Sequence, residues 1–195
     1  MDMTGSQRRP WQFSLRALFG FTLAVALLLA TCRTYMRWKY PYGRSHCCDK
    51  QLMGALEEYA SDHGGRYPSG EKTAEASLSL LYPKYAAAYL LTGKTIPENV
   101  VRRILEQGQR LGPETCGWHY VEGLTVKDDP RLAIFWDRAG LGHNGQRLST
   151  PGHCVQFIGW GNEFIPETDW AGFLEEQQKL LAERENNTAT AGLKP

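Results

Sequence analysis

Residues 17 to 32 form the only long uncharged apolar run in this 195-residue sequence, and they lie close to its N-terminus. Arg16 precedes the run and Arg33 follows it, with further basic residues beyond each. A transmembrane helix needs about 20 mostly apolar residues to cross about 30 Å of hydrocarbon, and terminal arginines can extend their charges to the lipid headgroups. A buried helix of a soluble domain normally keeps one polar face, which this run lacks. The run therefore predicts a transmembrane anchor over residues 17–36.

The charges around the anchor bear on its orientation. Basic residues flank both ends, so the positive-inside count is nearly balanced, but the segment before the anchor is short and almost free of acidic residues. This favours a cytoplasmic N-terminus over residues 1–16 and an extracytoplasmic domain over residues 37–185, held in the cytoplasmic (inner) membrane. Residues 186–195 are poor in apolar side chains and predict a disordered tail.

Several kinds of processing fit the same segment. No small-residue pattern typical of signal-peptidase cleavage stands out near Ala30. Residues 29–32, Leu-Ala-Thr-Cys, resemble a lipoprotein cleavage box in which Cys32 becomes the first residue of the mature protein. An uncleaved anchor that begins at Met1 is the remaining alternative from the residues alone.

Composition narrows the classes of partner. The net charge is +1, so the chain has no strong field to steer a nucleic acid, and no stripe of lysine and arginine follows the anchor. No cofactor-binding motif is present: Gly140-Leu141-Gly142 lacks the lysine and the helix of a phosphate-binding loop. In an oxidising compartment, one or two disulfides of open connectivity can form, and buried free thiols are the alternative. The cysteines concerned are Cys47, Cys48, Cys116 and Cys154.

The first part of the domain has helical patterns. Leu52 and Leu56 recur at helical spacing from a start near Ser45, and Gly64-Gly65 predicts the end of that helix. Thr73 predicts the cap of a short helix, and Pro97 opens an amphipathic one.

The second part has strand patterns. Short β-branched or aromatic runs bounded by Gly, Pro and Asp predict four strands, with a turn at residues 159–162 before the last strand and a helix after Thr168. Together these patterns predict an α+β fold, in which helices and a small antiparallel sheet follow the transmembrane helix and a C-terminal helix ends the domain. The predicted strands are Trp118–Val121, Leu132–Trp136, Cys154–Ile158 and Glu163–Ile165.

Residues 20–23, 56–68 and 134–165 form three separated patches, and together they resemble bacterial type IV pilin-like proteins and the type II secretion pseudopilin G family. Residues 20–23, Gly-Phe-Thr-Leu, are similar to the prepilin N-terminus, where a peptidase cuts after the glycine. Residues 56–68, which end in Gly-Gly-Arg-Tyr-Pro, resemble the turn that closes the first pseudopilin helix. Residues 134–165 resemble a family that carries a His-Gly-Gly segment and a C-terminal Asp-Gly hairpin, here degenerate at Gly159-Trp160.

The resemblance implies a membrane-anchored, non-catalytic protein linked to a secretion or pilus-like assembly. Its partners would be the lipid bilayer and other pseudopilin-like subunits, and Gly20 and Phe21 would flank the cleavage site. Val25 stands where prepilins carry the glutamate that guides assembly. The alternative function is an exported enzyme or lipoprotein that uses the N-terminal segment only as an anchor or signal.

Candidate catalytic and metal-binding residues are scattered. His46, His119, His143 and His153 each lie near a cysteine or acid, but their spacing matches no standard zinc site. A catalytic triad would have to combine Ser149, Asp137 and either His143 or His153. The sequence has no nucleophile elbow around the serine to support such a triad. Asp128, Asp129, Asp137 and Asn144 lack the repeating pattern of a calcium loop. We therefore expect neither a catalytic nor a metal site.

Overall fold

The computed structural model describes residues 14–44, 49–142 and 144–191, with side chains described up to residue 187. The chain divides into two compact units, one ending at Lys39 and the other beginning at Tyr40. The predicted helix start at Ser45 lies outside the described residues.

The first unit contains one helix, α1, at Leu15–Lys39. The Ser14 hydroxyl accepts the Ala17 N–H at 3.2 Å and begins the helix as an N-cap. None of its side chains is buried, and it is the one described helix that is long and apolar enough to span a membrane. At 1.5 Å per residue it is about 37 Å long, which exceeds the hydrocarbon thickness. Its hydroxyls are satisfied inside the helix, as where Thr22 donates to the Phe19 carbonyl at 2.9 Å.

The second unit begins with helix α2 at Asp49–Asp62, which buries an apolar face that includes Leu52 and Leu56. Gly64 and Gly65 follow with φ of +66° and +83°, values that favour glycine, and the Gly65 N–H donates to the Ala60 carbonyl at 2.7 Å. The predicted glycine stop of this helix is therefore confirmed.

Short helices lead from α2 to the sheet. Helix α3, Ala74–Ser77, begins where Thr73 Oγ1 accepts the Ala76 N–H at 3.2 Å, and a 3-10 turn at Leu78–Leu81 continues it. A second 3-10 turn, Ala88–Leu91, precedes helix α4 at Glu98–Glu106. As predicted, Pro97 stands directly before α4.

The four described strands form one antiparallel sheet in the order β1-β2-β3-β4. Each lies within two residues of its predicted bounds, because the aromatic and β-branched runs end at Gly, Pro or Asp. The β3–β4 turn places Gly159 and Trp160 at φ of 75° and 73°, the mirror-image turn that matches the twist of a hairpin. The strands are β1 at Trp118–Tyr120, β2 at Ala133–Asp137, β3 at Gly152–Phe157 and β4 at Asn162–Pro166.

Helices pack on both faces of the sheet. The larger core joins α2 and α4 to the sheet through residues such as Leu56, Val101 and Trp118. The smaller core joins the sheet to helix α5, Trp170–Ala191, through Phe173. The α+β fold with an N-terminal apolar helix is therefore confirmed.

The end of α5 corrects one prediction. The tail expected to be disordered over residues 186–195 is helical as far as Ala191, and residues 192–195 lie outside the described residues. No proline or glycine interrupts the chain between Gly172 and Gly192, so the helical hydrogen-bond ladder continues past the last apolar residues.

Candidate functional sites

The processing candidates all lie on α1. Phe21 is 68% exposed, Cys32 is exposed, and the position of a Cβ on Gly20 would have no neighbouring atom within 4 Å. Gly20 and Phe21 lie within the apolar run, whereas Cys32 ends it and is followed by Arg33. Each of these positions is therefore accessible, and the choice among them stays a prediction.

The described cysteines are free thiols in different environments. Cys116 is fully buried beside the Leu91 carbonyl, and burial raises the pKa of its thiol to about 12. Cys154 on β3 is half-buried, and its pKa is raised by burial and then by the negative charge of Asp137. Cys47 and Cys48 lie outside the described residues, so a disulfide that involves them stays a prediction.

A buried ion pair lies where the helical half of the domain meets the sheet. The Lys94 ammonium donates to Asp137 Oδ2, and the two side chains are only 3% and 1% exposed. Lys94 also donates to the Leu141 carbonyl at 3.0 Å, and the Cys154 N–H donates to Asp137 Oδ1 at 3.2 Å. Burial raises the pKa of Asp137, and the adjacent ammonium opposes that rise. Every strong partner is thus internal to the protein, which is the arrangement of a structural pair.

This pair was missed in the sequence because its members are far apart in the chain. Asp137 stood out only as a triad or calcium candidate, and Lys94 did not stand out at all. The available signal was a lysine three residues after the apolar Tyr89-Leu90-Leu91 run, together with an aspartate that ends the apolar run of β2. A charged group at such a position is rarely buried without an opposite charge.

The catalytic triad is not assembled in the described part of the chain. The His153 ring Nδ1 lies 2.9 Å from the Asp137 backbone carbonyl and does not contact its carboxylate. Ser149 is exposed in a bend, and His143 lies outside the described residues. A backbone carbonyl therefore orients the His153 ring, and Ser149 is not placed in the described structure as its nucleophile.

The two described histidines near cysteines are held by separate neighbours. His153 stacks on Trp170 with ring centroids 4.1 Å apart, and its Nε2 is 3.5 Å from Glu167. His119 lies 3.9 Å from Glu75, and burial followed by the charge of Arg138 lowers its pKa. Among the described residues, no group of three or more His, Cys, Asp or Glu is placed to hold a metal ion.

The acidic turn at Asp128-Asp129, which lacks the sequence pattern of a calcium loop, is occupied by the protein's own donors. Asp128 Oδ1 accepts Arg184 Nε at 2.7 Å, and its other oxygen accepts the Thr125 N–H at 2.6 Å. Asp129 forms a salt bridge of 2.7 Å with Arg131. Asp128 therefore connects α5 to the loop before β2, and Asp129 pairs within that loop.

An open groove of about 590 Å³ lies between β4 and α5, and we call it the β4–α5 groove. Its apolar surface comes from Phe157, Ile165 and Phe173, together with two prolines. Gln177 closes one side and is fixed by accepting the Ala133 N–H at 2.8 Å. The lining residues are Pro130, Arg131, Phe157, Gly161, Asn162, Glu163, Ile165, Pro166, Asp169, Phe173, Glu176 and Gln177.

A scan against protein-family models, a search of curated proteins and a search of solved structures each returned no match. Function is therefore argued from the residues and geometry of this chain. Its strongest features are the exposed apolar helix α1, a domain whose buried charges are paired internally, and the β4–α5 groove.

Proposed function

We propose that this protein is a single-pass membrane protein of the cytoplasmic (inner) membrane that presents a non-catalytic, pseudopilin-like domain outside the cytoplasm. The single observation that carries the proposal is α1, a 25-residue helix that carries the uncharged apolar run of residues 17–32 between arginines and buries no residue in the protein. Burial of apolar surface contributes about 25 cal/mol per Å², so a helix of this kind gains most by leaving water for lipid. A bilayer is the partner that covers all of its sides at once.

The order of elements after α1 supports the pseudopilin-like part of the proposal. Helix α2 contributes to the same core as the antiparallel sheet, and the turn after it returns Tyr67 to that core, as the resemblance implies. The β3–β4 hairpin follows in the expected place. Association with other pseudopilin-like subunits, in a secretion or pilus-like assembly, is the role that this resemblance favours.

The internal pairing of reactive groups supports the non-catalytic part. Lys94 and Asp137 neutralise each other, and the Cys116 thiol is kept protonated by burial. The β4–α5 groove contains no histidine, serine or cysteine among its lining residues. Its chemistry is that of a binding surface.

The mature N-terminus tests the proposal against its alternatives. We would extract the protein from membranes and measure the mass of its N-terminal peptide. Phe21 as the first residue indicates prepilin-type processing, Cys32 indicates a lipoprotein, and Met1 indicates an uncleaved anchor. A start between residue 33 and the domain would mean a cleaved signal and would contradict the membrane-anchored function.

Topology is tested separately by protease protection in spheroplasts. The domain from Tyr40 onwards should be digested from outside while a cytoplasmic marker stays intact. A domain that is digested only after the membrane is broken would contradict the extracytoplasmic placement.

A further inference from the structure

Strand β4 is an edge of the sheet, and no described strand pairs with its outer side. The Phe157 N–H donates to the Gly161 carbonyl and the Glu167 N–H donates to the Pro151 carbonyl. These two residue pairs lie in the same register as β3 and β4. In an antiparallel pair of strands, residue pairs that exchange backbone hydrogen bonds alternate with pairs that do not. Glu163 and Ile165 therefore turn their backbone groups toward β3.

The residues of β4 that alternate with Glu163 and Ile165 turn their backbone groups away from β3, toward the open edge of the sheet. Asn162 and Phe164 each present an N–H and a carbonyl, and Pro166 presents only a carbonyl because proline has no N–H. Such an edge can be extended by one more strand from a partner, in which backbone hydrogen bonds give affinity and alternate side chains give specificity. Pro166 limits the addition to a short segment.

The β4–α5 groove defines what the alternate side chains of an added strand would meet. Along β4, Glu163 and Ile165 project on the α5 side and line the groove. A residue placed beside Glu163 would favour a positive charge, and a residue beside Ile165 would favour an apolar side chain. Phe173 of α5 is the apolar neighbour on the opposite wall.

The charges of the groove favour the same partner. Glu163, Asp169 and Glu176 are exposed, and none of them forms an ion pair with a described lysine or arginine. The one lining cation, Arg131, forms a salt bridge of 2.7 Å with Asp129, and Glu176 adds a weaker electrostatic interaction with it. An acidic rim above an apolar floor selects a cationic segment with an apolar residue at its centre.

We propose that the open edge of β4 binds an extended segment of a partner protein in which lysine or arginine alternates with an apolar residue on the side facing the β4–α5 groove. The bound segment adds a fifth strand to the sheet. This goes beyond the proposed function by assigning a partner-binding surface, and it does not depend on how α1 is processed or oriented.

The probe is a fluorescein-labelled peptide, Lys-Thr-Val-Thr-Lys, which presents the same side-chain pattern in either strand direction. It is titrated by fluorescence anisotropy against the full chain in lipid nanodiscs. Two matched peptides are controls: Glu-Thr-Val-Thr-Glu reverses the charge, and a version N-methylated at its three central amides removes backbone donors. We expect saturable binding of the lysine peptide and at least about tenfold weaker binding of both controls.

Charge substitutions in the protein locate the site. Glu163 lines the β4–α5 groove. Because Glu163→Lys reverses its charge, this substitution should weaken binding of the lysine peptide by about tenfold or more. Glu175→Lys makes the same charge change one residue from Glu176, but Glu175 does not line the groove, so affinity should change less than about twofold. Circular dichroism checks that both variants fold.

Three outcomes would overturn the proposal. The lysine peptide does not bind at millimolar concentration, or the N-methylated peptide binds as well, or Glu163→Lys and Glu175→Lys have equal effects. A concentration-dependent dimer of the chain that Glu163→Lys abolishes would instead assign the edge to a second copy. Membrane extraction and topology can succeed or fail independently of each of these results.

Discussion

Tyr67 connects the turn after α2 to the core of the domain. Its side chain is 1% exposed in the cluster that contains Leu52 and Leu56, and its hydroxyl donates to Glu57 Oε1 at 2.6 Å. We expect Tyr67→Ala to lower the free energy of unfolding by about 2 to 4 kcal/mol, because it leaves a cavity in a packed core. Tyr67→Phe keeps the ring and should cost only about 1 kcal/mol. Urea unfolding measures both, and equal costs would contradict ring burial as the main contribution.

Cys116 makes stability depend on alkaline pH. Burial raises the pKa of its thiol from an ordinary value of 9.0 to about 12. Below pH 9 the thiol is protonated in both states, whereas above it the unfolded state loses the proton first, so stability falls as pH rises. By pH 10 the Cys116 thiol has lowered the free energy of unfolding by about 1.4 kcal/mol relative to neutral pH. Burial raises the pKa values of Tyr67 and Tyr120 too, so the whole domain should weaken in the same range.

Comparison with a variant isolates the thiol. Cys116→Ala lacks the titrating group but keeps both tyrosines, so its stability should fall less between pH 7 and pH 10 than that of the natural protein, by about 1.4 kcal/mol. Urea unfolding at the two pH values measures the difference. Parallel losses in both proteins would mean that the Cys116 thiol is not shifted.

The membrane role of α1 is tested at its centre. Leu27 lies in the middle of the apolar run and is 60% exposed. Leu27→Arg should cost about 2.5 to 3.5 kcal/mol of insertion free energy, so the protein should move toward the soluble fraction in carbonate extraction. Leu27→Ala keeps the helix uncharged and should remain in the membrane. A Leu27→Arg protein that stays fully bound would contradict insertion of this segment.

The contact between the loop before α4 and strand β2 depends on the Lys94–Asp137 pair. Lys94→Met leaves the Asp137 carboxylate buried without its cation, which should cost about 3 to 5 kcal/mol. Adding Asp137→Asn removes the charge while keeping the oxygen that accepts the Cys154 N–H. The double variant should therefore be more stable than Lys94→Met alone. A double-mutant cycle by urea unfolding measures the coupling, and strictly additive costs would show that the two residues do not act as a pair.

Patterns that repeat within one element were predictable, whereas contacts between distant elements were not. The four strands follow from aromatic and β-branched runs, and the end of α2 follows from Gly64-Gly65, because periodicity and glycine conformation are local properties. The pairing of Lys94 with Asp137 spans two halves of the domain, so neither residue identifies the other in the sequence. The β4–α5 groove likewise depends on where α5 packs. The extension of α5 past residue 186 was missed because low apolar content was given more weight than the lack of a helix-breaking residue.

The cysteines are distributed over the whole molecule: Cys32 lies on α1, Cys116 in the core and Cys154 on β3. Cys32, Cys116 and Cys154 are free in the described part of the chain. We predict that Cys47 and Cys48 are free as well, so that the denatured, unreduced protein shows five reactive thiols on labelling and mass analysis. Three reactive thiols would contradict this and reveal one bridge, which stabilises a fold by about 2 to 4 kcal/mol.

If a bridge is found, the geometry identifies its member in the sheet. The Asn162 amide lies 3.4 Å from Asp49 Oδ2 at the start of α2, and Asn162 pairs with Gln156, two residues from Cys154 on the same face of β3. Cys47 and Cys48 directly precede Asp49 in the chain, whereas Cys116 lies against Leu91. Cys154→Ser would then free all four remaining thiols, and Cys116→Ala would leave only two reactive. The reverse result would place Cys116 in the bridge and contradict the placement of the start of α2 beside Asn162 of the β3–β4 hairpin.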